Sequence, residues 1–193
     1  MEKQVSSNYS TNLSGHLLVA TPQMTDPRFK KSAILICQHD QNSAMGLVIN
    51  QPKHNYKFSQ FLDVLKISKT ATTKKENIYI GGPVDTQRGY ILHSSDFVTN
   101  DSIKVCENVF LSIQIDIIKK IVLGLGPKSF RILLGYSGWT SGQLEFELRQ
   151  NMWFNIPAHS KIIFSKNTSD IWENSFSDLG MSASSFSSQI GNA

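Results

Sequence analysis

Apolar residues in this chain fall in short runs separated by polar or Gly- and Pro-containing stretches. Residues 33–37 and 45–49 are the clearest pair: brief, rich in β-branched residues, and flanking the polar stretch 38–43. That pattern predicts two strands joined as a hairpin, with Asp40, Asn42 and Ser43 supplying the turn. Both strands are apolar at nearly every position, which predicts a sheet covered on both faces. Further strands are predicted at 17–20, ended by Thr21-Pro22, and at 78–80, 89–93, 130–134, 153–156 and 162–164. Residues 102–110 read as one or two more.

Helical spacing is found in four places. Phe58, Phe61, Leu62 and Leu65 recur at i, i+3, i+4 and i+7, with Asn55 as the expected cap. Ser112 is expected to cap a second helix whose apolar face is Ile113, Ile117, Ile118, Ile121 and Val122, stopped by Gly124 and Gly126. Thr140-Ser141-Gly142-Gln143 has the form of a capping box opening a helix to about residue 150, on which Glu145 and Glu147 read as solvated side chains. A last helix is expected over 169–179, with Ile171, Trp172, Phe176 and Leu179 on one face and Gly180 beyond. Strands and helices do not alternate one-to-one, so the expected class is α+β with a mixed, mostly antiparallel sheet in a single domain spanning 13–181. Residues 1–12 and the Ser-rich 182–193 are expected to be flexible, and the basic stretch 66–77 to be a loop.

Composition narrows the function. Of 193 residues 40% are apolar and 18% charged, a globular balance. The net charge of +4 is too small to imply nucleic acid without a clustered patch. Residues 1–12 contain no apolar core of a secretory signal, and no run approaches the ~18 apolar residues of a membrane span. Cys37 and Cys106 then read as reduced, buried thiols in a cytoplasmic protein.

Catalytic signatures are incomplete. Gly135-Tyr136-Ser137-Gly138-Trp139 is expected as a turn between a strand and a helix, but Trp139 stands where a nucleophile elbow needs glycine. Cys37 and His39 are two apart, which on a regular strand puts thiol and imidazole on one face. No third group to orient them is evident. The five histidines show no metal-ligand spacing, and no phosphate-binding glycine loop follows Gly81-Gly82-Pro83. The remaining candidates for ligand contact are His39, Asn50, Arg88 and His93, polar residues at expected strand margins beside glycine turns. At least three of them are expected to share one partly exposed patch.

These residues together resemble the AlgH/YqgE family of bacterial proteins. The likeness lies in Leu17-Leu18-Val19-Ala20 with Pro22 and Met24, Asp26-Pro27-Arg28-Phe29, Ser32, His39, and Ala44-Met45-Gly46-Leu47-Val48-Ile49-Asn50 with Pro52. It continues through Gly81-Gly82-Pro83-Val84, Arg88-Gly89-Tyr90-Ile91-Leu92-His93, Gly135-Tyr136-Ser137-Gly138-Trp139, and Gly142-Gln143-Leu144-Glu145 with Trp153. The resemblance implies an α+β domain whose sheet curls into a partial barrel with helices packed outside. The family usually has Ala at Ser137, which weakens the case for a nucleophile there. One branch is labelled a transcriptional regulator of exopolysaccharide production, yet the motifs contain no DNA-reading surface, and the family as a whole has no established activity. The resulting expectation is a binding or regulatory protein with a protein or small-molecule partner, without cofactor, metal, membrane or specific nucleic acid. The competing expectation is a hydrolytic or thiol-based enzyme acting on a small molecule through the strand-end polar residues.

Overall fold

The computed structural model describes residues 12–70, 73 and 75–178. The segments expected to be flexible, 1–12 and 182–193, lie outside the described residues apart from Asn12, as do Leu179 and Gly180.

Among the described residues nine strands form one sheet: β1 (His16–Ala20), β2 (Ala33–His39), β3 (Ser43–Val48), β4 (Ile78–Ile80), β5 (Val84–Ser94), β6 (Ile103–Cys106), β7 (Val109–Ser112), β8 (Phe130–Thr140) and β9 (Trp153–Pro157). Their order is β6-β7-β5-β8-β3-β2-β1-β9, with β4 paired to β8 off that path. The β4–β8 pairing is parallel and the rest antiparallel. The sheet curls into a half-barrel, in the single α+β domain the sequence predicts.

Alternation along the strands separates three cores. Leu17, Val19, Leu35, Leu47, Leu92 and Leu133 face inward, where Ile163, Ile171, Trp172 and Phe176 close the concave side. Outward-facing Leu18, Ile34, Ile36, Val48 and Trp139 are covered by Leu144. Ile78, Ile91, Ile132 and Leu134 are covered on the same convex side by Phe58, Phe61, Leu62, Ile117, Ile118 and Val122. The helices responsible are α1 (Phe58–Val64), α2 (Ile115–Val122), α3 (Gln143–Arg149), α4 (Ser160–Ile163) and α5 (Ser169–Asp178). The central hairpin is thus buried on both faces, which is why its strands read as continuous apolar runs.

Several local expectations are corrected. Residues 135–139 are not a turn but the second half of β8, because pairing with β3 continues from Gly46↔Ser137 to Ser43↔Thr140. Ser112 belongs to β7 and is buried, and α2 begins after Gln114, which leaves Ile113 outside the helix. Helix α1 is capped at Lys57, whose N–H donates to Gln60 Oε1 (2.8 Å), rather than at Asn55. Residues 160–163 are a short helix rather than a strand, and its C-terminal carbonyls find an unusual partner. The buried Arg131 side chain donates to the carbonyl oxygens of Ile163 and Ser165 and lies 4.5 Å from the Tyr79 ring centroid. A cation at the end of a helix meets the negative end of the peptide dipoles, which offsets part of the cost of burying the guanidinium there.

Candidate functional site

The four sequence candidates do not share a patch. His39 aligns through Ala44 with Trp139 near one end of β8, whereas His93 pairs with Phe130 at the other. Nine strand positions separate Phe130 from Trp139, roughly 30 Å of chain. Asn50 follows the open end of the hairpin whose turn end holds His39.

Three of the four are engaged by their own surroundings. His39 Nδ1 accepts the N–H of Leu13 (3.0 Å), so the ring proton sits on Nε2, which donates to Glu145 Oε1 (2.9 Å). His93 is fully buried between Phe97 and Phe110. Its Nδ1–H donates to the Ser94 carbonyl (3.1 Å) and its Nε2 accepts from Ser112 Oγ (2.9 Å), which in turn lies 3.0 Å from Ser102 Oγ. Burial holds this imidazole below the ordinary histidine range. Asn50 Oδ1 accepts from Ala33 N (2.8 Å) and its Nδ2 donates to the Lys31 carbonyl (2.9 Å). Arg88 is exposed, its guanidinium 5.8 Å from the Tyr90 ring centroid.

The thiol–imidazole pairing also dissolves. A bulge between Ile36 and Gln38 inserts a residue into β2, so Cys37 faces the inner core while His39 turns outward to α3. Burial raises the Cys37 thiol well above its ordinary range. Cys106, at the end of β6, is half-buried rather than fully buried, and its thiol is raised as well. Ser137 is also buried, 1% exposed.

A concave site does exist where the two convex covers fail to meet. One cover is α3 with the loop preceding β2; the other is α1 with α2. Between them the surface of β3, β4 and β8 is left open. Two adjoining cavities, of about 400 and 230 Å³, share Lys53, Thr86 and Leu134 in their walls. The first lies against Phe29, Val48, Ile80 and Pro83, and the second against Phe61, Val64, Ile115 and Ile118. Several apolar side chains here stay in water: Val64 is 70% exposed, Ile80 39%, Ile113 43% and Ile115 41%.

The floor of this groove is a backbone crossing made by glycine. After β4 the chain passes over β8 so closely that a Cβ on Gly81 would lie 2.2 Å from the Gly135 carbonyl oxygen, and one on Gly135 would lie 2.5 Å from that of Gly82. Gly135 also has φ of +73° and marks a reversal of alternation, since Leu133 and Tyr136 both face the inner core. The crossing is tied by Gly81 N to the Leu134 carbonyl (2.8 Å) and by Val48 N to the Gly81 carbonyl (2.8 Å). Beyond Val84 a bulge runs to Gly89, with Asp85 at φ of +47°, and places Thr86 and Gln87 along the groove.

Asn50 and Arg88 both adjoin this groove, though neither lines it. Asn50 ties Lys31 to the start of β2, and the neighbouring Gln51 Nε2 donates to the Arg28 carbonyl (3.1 Å). Together they fix the loop that presents Arg28 and Phe29. The Arg28 guanidinium pairs with Asp26 (2.6 Å) and holds that carboxyl below its usual range. Sequence reasoning missed Ile80, Lys53 and Leu134 as site residues. The signal present was Gly81-Gly82-Pro83, read as a close backbone approach. Which surface would be left uncovered beside it is not encoded locally.

Comparison with known proteins agrees with this architecture. The profile of the AlgH-like family matches residues 17–184. A UPF0301 protein from Methylocella silvestris is 40% identical over 189 residues, covering 94% of this chain and 92% of its own length. Another from Pseudoalteromonas translucida is 40% identical over 184 residues, covering 94% and 99%. The solution structure of the AlgH protein from Pseudomonas aeruginosa superposes with a TM-score of 0.78 at 34% identity, covering all of both chains. A crystal structure of a Corynebacterium diphtheriae protein shares the fold, with a TM-score of 0.71 at 21% identity over 86% of each chain. The chain therefore belongs to the AlgH-like family.

Proposed function

We propose that this chain is a non-enzymatic, cytoplasmic binding protein that holds an apolar segment of a protein partner in the groove between its two convex covers. The observation that supports this reading is the concentration of exposed Val64, Ile80, Ile113 and Ile115 around one concavity with a rigid glycine floor. Contiguous exposed apolar surface rimmed by polar groups is what a binding site leaves in water. Thr86, Gln87 and Gln114 line the same groove, and hydroxyl and amide side chains suit the backbone groups of a bound peptide. The imidazoles weigh the same way: His39 has a partner on each nitrogen, and His93 is sealed from solvent. An effect on transcription would then run through the partner and not through DNA.

The test is a peptide-display selection on the full chain, followed by amide chemical-shift mapping of the selected peptides. Shifts are expected to cluster at Val48, Ile80, Thr86 and Ile115, and Ile80→Asp is expected to weaken binding by at least about tenfold, ~1.4 kcal/mol. Selected peptides that bind elsewhere, or that are indifferent to Ile80→Asp, would refute the reading.

A further inference from the structure

A second concavity lies on the far side of α1 from the groove. It has a volume of about 530 Å³ and is walled by residues drawn from 52–62, by Lys69, Thr70 and Thr73, and by residues 75–78, with Phe58, Leu62 and Ile78 as its apolar side. Lys53, His54, Lys57, Lys69 and Lys75 all line it, against Glu76 as the acidic residue in the wall. The lining ammonium groups thus sum to +4 and Glu76 brings the wall to +3, in a chain whose net charge is only +4. Outside the wall, Asp63 pairs with Lys69 at 3.0 Å while both side chains remain exposed. Such a pair is weak and exchangeable, so Lys69 can turn toward an anion at little cost.

We propose that this basic cavity binds a polyphosphate chain, free or carried by an organic group. Like charges around a concave, partly apolar wall reinforce one another and concentrate counter-ions there. Lysine ammonium groups, each with three donors on a flexible stem, suit phosphate oxygens as point charges. A local charge of +2 to +3, counted with and without Asp63, calls for a multiply charged anion rather than a single carboxylate. The volume falls within the ~300–1,000 Å³ range of small-molecule sites. The half-buried Tyr56 in the wall offers aromatic surface to an organic group carried by the phosphate chain. This inference is independent of the groove reading, although Lys53 and Tyr56 line both concavities.

Calorimetric titration of the full chain with sodium tripolyphosphate and, separately, with ATP tests it. Saturable binding that weakens from low to physiological salt is expected with at least one of them. The double variant Lys57→Gln/Lys75→Gln should lose at least about tenfold in affinity, whereas Lys128→Gln/Lys161→Gln, outside the cavity wall, should lose less than about twofold. Tighter binding of ATP than of tripolyphosphate would show that the aromatic wall contributes, and equal binding that the phosphate chain alone is held. The absence of saturable binding with both probes, or an equal loss in the two double variants, would overturn the proposal.

Discussion

His93 and the two cysteines show how burial alone changes what a reactive side chain can do. His93 is held neutral by a dry aromatic setting, with Nδ1 donating and Nε2 accepting, so protonation must break the bond from Ser112. Its folded pKa lies below the ordinary 6.5, so between the two values the unfolded chain binds more protons than the folded one. This contribution to stability is complete above about pH 6.5 and is lost as pH falls from there through the folded value. Urea midpoints measured from pH 7.5 down to pH 5 should therefore decline, and the decline should flatten in His93→Gln. An undiminished slope in that variant would place the proton uptake elsewhere. For the thiols, burial disfavours the reactive thiolate. Thiol labelling of the native protein should leave Cys37 unmodified until denaturation, with the half-buried Cys106 reacting slowly but first. Rapid native labelling of Cys37 would reopen a thiol chemistry.

At the level of elements, two devices hold the convex side. The first is the crossing of Gly81-Gly82 over Gly135. Gly135→Ala would place a Cβ 2.5 Å from the Gly82 carbonyl oxygen and 2.8 Å from that of Val84, at a φ of +73°. The left-handed conformation alone costs ~1–2 kcal/mol for a residue with a Cβ, and the clash with backbone adds to it. Denaturant titration should show a loss of at least ~2 kcal/mol, and amide shifts should move along the groove floor. The second device is Glu147 on α3. Its Oε2 accepts the indole N–H of Trp139 (2.8 Å) and of Trp153 (2.7 Å), both buried, and its Oε1 accepts from Gln143 Nε2 (2.9 Å). Glu147→Ala leaves two buried donors without their acceptor. At ~1–3 kcal/mol for each of the two unsatisfied groups, a loss of about 2–6 kcal/mol is expected, followed by tryptophan fluorescence in urea. A change below ~0.5 kcal/mol would mean that water replaces the carboxylate at little cost.

Seen whole, the molecule is a half-barrel whose concave side is closed by α4 and α5 and whose convex side is covered twice, with a gap between the covers. Both concavities of interest lie on the convex side and meet at Lys53. Among the described residues no helix is long and apolar enough to cross a membrane. With a net charge of only +4, duplex DNA should bind weakly, without sequence preference, and be released by moderate salt. A sequence-specific mobility shift that persists at physiological salt would contradict this view.

The strands of the central hairpin, the helix faces of α1 and α5 and the two-sided burial of the sheet were legible because they rest on periodicity, which is local. So was the need for glycine at 81 and 82, since the residue type itself announces a close approach. The family was legible from motifs in order. What depended on tertiary structure was every case in which one residue's surroundings come from distant chain. The bulge at Cys37 separates thiol from imidazole because a single inserted residue reverses the face of everything after it. Residues 135–139 look like a turn because glycine is frequent there, yet β3 supplies the pairing that keeps them in a strand. Glu147 occupies what periodicity takes for an outer face, and only the arrival of Trp139 and Trp153 makes it an acceptor. The groove exists because two helical covers, encoded far apart in the chain, stop short of each other. A gap between packed elements is set by the lengths and placement of both, and no pattern within either one records it.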